Sequence, residues 1–334
     1  MKIDIARQPL IPAFLTLAAL AAAAMWNADA PNGLPLPTTL PSSDGALAIT
    51  LPENWLLQFQ AAHPVWSKWV AGMLLLFAGT LLGRTGIRYN LYSVSTCLTI
   101  PLFGCLVSNF VAGNRFLTAA LAAALLTLAF RNFCRAFCNG FGFDAIFRAS
   151  LYLGLLPLVN LASLPMLLVL PLAIVLFRRT LREATVAVAG LLLPGLLVAY
   201  LNWGAGGEFL APIVTTAKAF AEGRMLALFS TLTLQQLAVL GGMLVLDLLS
   251  VLFFLSDIYA VGTKARLILI FNISILILSA ATLCGPAADR GSLAMLAVPS
   301  AILLPFMMVR THPSVSLLFY LLLLLSATLG VFLQ

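Results

Sequence analysis

The residue whose surroundings most invite chemistry is Asp247, inside the apolar run GGMLVLDLLSVLFFLSD. An ionised carboxylate in hydrocarbon is costly, so such a residue faces a bundle interior, finds a partner or handles protons. Gln236 lies eleven residues earlier, which places it about 20° away on a helix of about 3.6 residues per turn. Ser250 falls on the same face, and Asp257 lies near the far end of the run. Two readings stand. Gln236, Asp247 and Ser250 form an intramembrane polar stripe that takes a proton or cation, or Asp247 is a neutral acid hydrogen-bonded between helices for packing.

A second set of acids, Asp29, Asp44 and Glu53, occupies the polar stretch 27–67. One of them could be a catalytic carboxylate or a metal ligand placed just above a membrane, and the other reading of each is a solvated loop charge. His63 in HPVWSKW is read as an interfacial turn residue with acid/base work as the alternative. Asp144 and Arg148, four residues apart, suit an ion pair in a first helical turn. Arg178, Arg179 and Arg182 form a basic cluster that sets topology and can hold anionic lipid headgroups. The five cysteines are too scattered for a disulfide scaffold. Cys134 and Cys138 give only a weak metal pattern, a Cys105–Cys284 bond stays open, and no metal site is expected.

These residues are carried by an unusually apolar chain. Of its 334 residues 62% are hydrophobic and 9% charged, against about 25% charged in soluble domains. Mean hydropathy is +1.07. Soluble domains, disorder, a coiled coil and nucleic-acid binding are excluded, despite a pI of about 9.5. A hydrocarbon core needs roughly 20 apolar residues per helical crossing. Continuous apolar runs predict an all-α polytopic transmembrane bundle, residues 1–334 forming a single membrane domain. A β-barrel would show alternation instead. About eleven spans are expected, over 10–26, 68–82, 91–112, 116–130, 143–159, 164–177, 184–201, 232–254, 267–284, 293–309 and 315–333.

Charge sets the orientation. With the N-terminus inside, 13 of the 18 Lys and Arg residues fall on the cytoplasmic side, as the positive-inside rule requires. Trp26, Trp55, Trp66, Trp69 and Trp203 all fall at or beyond the outer boundary, where amphipathic rings prefer to sit. The expectation is N-in and C-out. Lys2, Arg7 and the later Ala28-Asp29-Ala30 resemble a signal peptide, but the apolar run between them is long enough for an uncleaved signal-anchor.

Two outer loops are large, 27–67 and 204–231. The Pro-, Gly- and Ser-rich first half of the earlier one is expected to be extended. Its second half, LPENWLLQFQAAHPVW, puts Trp55, Leu56 and Phe59 on one face of a short interfacial helix. FLAPIVTTAKAFAEGRM in the later loop predicts another. The short basic inner loops leave no room for a nucleotide-binding domain, and no Walker, Rossmann or HExxH motif is present. No pattern assigns a cofactor.

The stretch from NRFLTAALAAALLTLAF through FDAIFRASLYLGLLPLVNLASLPMLLVLPLAIVLFRRTLREATVAVAGLLLPGLLVAYLNW resembles an uncharacterised multipass membrane protein family, a domain of unknown function of Bacteroidota. HPVWSKWVAGMLLL and AMLAVPSAILLPFMMV extend the resemblance over most of the chain. It implies a bacterial inner (cytoplasmic) membrane protein and no established activity. The block GLLPLVNLASLPMLLVLPLAIVLFRR also resembles, more distantly, the C-superfamily glycosyltransferases that use polyprenyl-phosphate sugars. That likeness implies a large first outer loop with a catalytic acid soon after the first span, a role Asp29 matches best. The family's second acid is missing, since Asp29 stands in NADAPNG.

The leading expectation is therefore cell-envelope glycan or lipid assembly on a glycosyltransferase-like fold, active or catalytically degenerate. Membrane lipids and a polyprenyl-linked or other lipid substrate would be its partners. The alternatives are a non-enzymatic scaffold with envelope-protein partners, and a secondary transporter using Asp247.

Overall fold

A computed structural model describes residues 7–28, 52–111, 115–138 and 142–332. All regular structure among them is helical. In chain order the helices are α1 (Leu10–Asn27), α2 (Pro52–Ala62), α3 (Pro64–Arg88), α4 (Thr99–Val111), α5 (Phe116–Cys138) and α6 (Phe143–Val159). A 3-10 segment, Leu161–Leu168, leads into α7 (Val169–Leu176). Then follow α8 (Leu181–Gly204), α9 (Ala211–Glu222), α10 (Ala227–Thr231), α11 (Leu234–Ser256), α12 (Thr263–Cys284), α13 (Ser292–Arg310) and α14 (Pro313–Phe332).

Eight of these, α1, α3, α5, α8, α11, α12, α13 and α14, are long and apolar enough to cross a membrane. The other three expected spans are shorter. α4 has 13 residues, about 20 Å at 1.5 Å per residue. The expected helix over 91–112 begins only at Thr99, and residues 91–98 are irregular. Non-helical backbone at membrane depth is tolerated only where protein covers it, and Leu91, Tyr92, Thr96, Cys97 and Leu98 are buried. The Tyr92 hydroxyl donates to Ile302 O at 2.7 Å, Cys97 N to Gln8 O at 3.3 Å, and Leu98 N to Thr96 Oγ1 at 3.2 Å. The span expected over 164–177 is split between the 3-10 segment and α7. Asn160 starts the 3-10 segment by accepting from Ala162 N at 3.0 Å.

The centre of the bundle is α13, buried over 94% of its apolar window, with α5 at 83% and α4 buried at every residue. α1, α3, α11, α12 and α14 surround this core, and α6 joins it to α8. α6 and α8 approach closely because Gly154 lies against the Leu191 backbone and Gly190 against the Phe147 carbonyl. Small residues at such a crossing let backbones meet.

The turn into α8 is fixed by a capping box. Thr180 Oγ1 accepts from Glu183 N at 3.4 Å, and Thr180 N donates to Glu183 Oε2 at 3.1 Å. Thr180→Ala should cost about 1 kcal/mol of stability, read as a lower midpoint on thermal or detergent denaturation. An unchanged midpoint would show that the turn is held by packing alone.

Candidate functional site

Polar side chains from four separate stretches converge at one end of the bundle. Glu53 enters from the first turn of α2 and Arg115 from the residue preceding α5. Asn160 caps the C-terminus of α6, and Asp289 precedes α13. Arg115 Nη1 donates to Glu53 Oε1 at 2.8 Å and lies 3.5 Å from Asp289 Oδ2. Asp289 Oδ1 accepts from Ser292 N at 3.0 Å and from Ser292 Oγ at 2.8 Å, which satisfies donors at the start of α13. Asn160 Nδ2 reaches Asp289 Oδ1 and Ser292 Oγ at 3.4 Å each. Gln60, one face of α2 further on, accepts from Leu117 N at 3.3 Å. Trp55 stacks on Phe59 with ring centroids 5.9 Å apart, so this end of α2 carries the expected aromatic face.

The electrostatics follow from that geometry. Burial pushes the Glu53 carboxyl above its ordinary value of 4.5, the Arg115 guanidinium opposes the shift, and Asp289 adds to it. The side chain of Glu53 is 19% exposed, so it is largely withdrawn from water but still reachable. A group of this kind can give or take a proton at its mouth while its arginine holds an anion, because among the described residues both ion pairs use Nη1.

A carboxyl raised in the folded state contributes stability that is fully present below the unfolded value and lost as pH rises through the folded value. Glu53→Gln should therefore flatten the stability profile just above pH 4.5. Denaturation midpoints of the wild type and variant across that window check it, and parallel profiles would contradict it.

The remaining candidates are dispersed. Asp29 and Asp44 lie outside the described residues. Asp247 is buried at 1% exposure in α11, where its Oδ2 accepts from Ser300 Oγ of α13 at 2.6 Å. Its Oδ1 has no hydrogen-bond partner among the described residues. Ser250 is buried nearby but donates to Leu246 O at 2.8 Å, its own helix. Gln236 is placed otherwise than the stripe reading expects: it completes the capping box of α11, with Thr233 N donating to its Oε1 at 3.2 Å. A position eleven residues away is also about 16 Å along the axis, so equal azimuth does not bring the two side chains together.

Arg178, Arg179 and Arg182 do not act as one patch. Arg178 and Arg182 are exposed, whereas Arg179 Nη1 pairs with the buried Glu183 at 3.2 Å. Asp144 and Arg148 form the expected i,i+4 pair at 2.8 Å. His63 precedes α3 and packs its ring on Phe59. Cys105 and Cys284 are both free, so the disulfide left open by the sequence is not formed. Among the described residues no group of three metal-ligating side chains occurs.

Arg115, Asn160 and Asp289 were not singled out as site residues by sequence. Arg115 and Asp289 counted only as outer charges, and the available signal was that they share an expected side with Glu53. At the opposite end Asp257, after α11, pairs with Arg310 of α13 at 3.1 Å.

The helices and their buried core define a multi-pass helical membrane protein. No protein-family model, curated protein or solved structure matches the chain.

Proposed function

We propose that this is a bacterial inner-membrane protein that crosses the bilayer eleven times, N-in and C-out, and acts in cell-envelope glycan or lipid assembly. The crossings are the eight long helices together with α4, α6 and the 3-10 segment joined to α7. Contacts between helix ends support that count. Asn27 Nδ2 at the end of α1 donates to Val331 O of α14 at 2.9 Å, and the Glu53 site gathers the start of α5, the end of α6 and the start of α13. Alternating traverses place those ends on one side. Charge bias and the tryptophans make that side the outer one.

The observation that carries the functional reading is the half-buried Glu53 held against Arg115 and Asp289 at the outer end. A carboxylate beside a guanidinium at the membrane boundary suits acid/base work on a lipid-linked substrate whose phosphate the arginine attracts. Glu53 is the general base in this reading and Asp289 orients Arg115, while Asp29 and Asp44 remain candidates for the same role. The class of chemistry is transfer of a sugar from a polyprenyl-phosphate carrier, as in C-superfamily glycosyltransferases.

Glu53→Gln and Asp289→Asn, at normal expression, should each reduce envelope glycan labelling from lipid-linked sugar at least tenfold. Infrared titration of the carboxyl band should place the Glu53 transition lower in Asp289→Asn, because a neighbouring negative charge is gone, and higher in Arg115→Gln. If Asp29→Ala, Asp44→Ala and Glu53→Ala all leave envelope glycans and growth unchanged, the enzymatic reading fails.

One observation favours a second reading, proton- or cation-coupled transport: the Oδ1 of buried Asp247 is unpartnered among the described residues. Asp247→Asn would then abolish coupled uptake while leaving the protein folded.

A further inference from the structure

The strongest unassigned feature lies at the end of the bundle opposite Glu53, on the seam between α1 and α3. Leu17 of α1 fills the space over Gly79, where the two helices are in contact. Beyond that crossing they separate and leave a groove of about 840 Å3, within the roughly 300–1,000 Å3 of small-molecule sites. Its walls are apolar and include Ile11, Phe14, Leu15 and Ile87, and its mouth is formed by Arg84 and Arg88. Ile11 and Leu15 are 72% and 60% exposed, so the groove opens sideways along the lipid-facing surface.

Charge decides what such a groove holds. Arg84 and Arg88 stand four residues apart on one helix, and like charges at that spacing repel. Both are exposed, and among the described residues neither has a carboxylate within ion-pair distance. Arg88 lies 5.9 Å over the Tyr89 ring, which leaves its charge unneutralised. The first turn of α1 faces the same groove through Leu10 and Ile11. Among the described residues that turn contains no acid and has no side-chain cap, so its N–H groups add positive potential. Two unneutralised guanidinium groups and an uncapped helix start above an apolar slot fit an amphiphile with a negative head. Basic pockets between membrane helices take lipid headgroups for this reason.

We propose that the α1–α3 groove binds one anionic phospholipid, with its phosphate between Arg84 and Arg88 and an acyl chain along Phe14 and Leu15. This site is independent of the Glu53 reading and lies at the other end of the molecule. An anion between the arginines removes their mutual repulsion, and the chain covers apolar surface that α1 and α3 leave open. The lipid would thereby hold α1 against the bundle below Leu17.

The test is native mass spectrometry of the full chain with phosphatidylglycerol or phosphatidylcholine of matched chains. The wild type should retain one phosphatidylglycerol with about thirtyfold preference, the fold-change that two juxtamembrane charges carry. The R84Q/R88Q variant should lose the preference. Leu15→Trp, which blocks the slot and leaves both charges, should lose retention of either lipid, and this variant decides the matter if R84Q/R88Q fails to insert. Equal retention of the two lipids by the wild type, or unaltered retention by Leu15→Trp, overturns the proposal. So does full displacement of the lipid by equimolar inorganic phosphate, because the site would then read phosphate without a chain.

Discussion

Gly154→Ala is expected to destabilise the protein by about 1–3 kcal/mol, the usual penalty for overpacking. A methyl group at Gly154 would press into the carbonyl oxygen of Leu191 and also meet its carbonyl carbon at 3.1 Å and Cα at 3.3 Å. These are backbone atoms in the middle of α8, so no rotamer change relieves the contact and the two helices must part. Gly190→Ala should act in the same direction, since its added carbon would lie 2.8 Å from Phe147 O. Gly79→Ala meets side chains alone, the end of Leu17 at 2.6 Å and the Phe103 ring at 3.1 Å, and should cost less because the Leu17 side chain can turn. Gly241 has nothing within 4 Å, and Gly241→Ala should gain about 0.5–1 kcal/mol from helix propensity alone. The four midpoints in one detergent titration check the order. If Gly154→Ala and Gly241→Ala behave alike, the tight α6–α8 crossing is wrong.

The second large effect concerns Asp247 and Ser300. Ser300→Ala should cost about 1–3 kcal/mol, because it removes the one hydrogen bond that a carboxyl group buried at 1% exposure receives among the described residues. The double variant D247L/S300A should recover most of that loss, since replacing both partners by apolar groups leaves nothing unsatisfied. The coupling energy between the sites should fall at about 0.5–3 kcal/mol. The cycle separates packing from function. A double variant that is stable yet inactive in coupled uptake supports transport through Asp247, whereas a double variant that is stable and fully functional makes the aspartate a packing residue. Additive single effects would show that the 2.6 Å contact contributes nothing.

Much of the helical framework was legible in the chain. α6 runs over the expected residues, and α1, α11, α12, α13 and α14 agree to within a few. Long apolar runs with polar breaks report helix position because backbone satisfaction in lipid demands helix. α3 and α5 outran their expected ends at Leu82 and Phe130 because arginines do not stop a helix. The shortfall was in 91–98 and 164–168, which are apolar enough to read as helix. They are held in other conformations by Tyr92, Thr96 and Asn160, whose partners come partly from distant segments.

The candidate site was less legible for the same reason. Glu53 stood out as an acid in an outer loop, but its partner Arg115 lies 62 residues later and Asp289 further still. Neither has a local pattern that marks it. Gln236 illustrates the opposite error, since helical azimuth placed it with Asp247 although its real partner, Thr233, is three residues away. Capping is a local interaction and was readable from T-x-x-Q, had the helix start been placed two residues later.

The sequence by itself determined that this chain lives in a membrane as helices, and it marked where its charges fall relative to their ends. Hydrophobic transfer and charge placement act residue by residue along the chain, so composition and order suffice for them. Only the tertiary structure decided that α4, α5 and α13 form the centre, that Glu53 meets Arg115 and Asp289, and that α1 leaves α3 over Arg84 and Arg88. Those outcomes depend on which small residues let helices approach and which helix ends become neighbours. That information is spread over residues far apart in the chain and becomes visible only once the helices are packed.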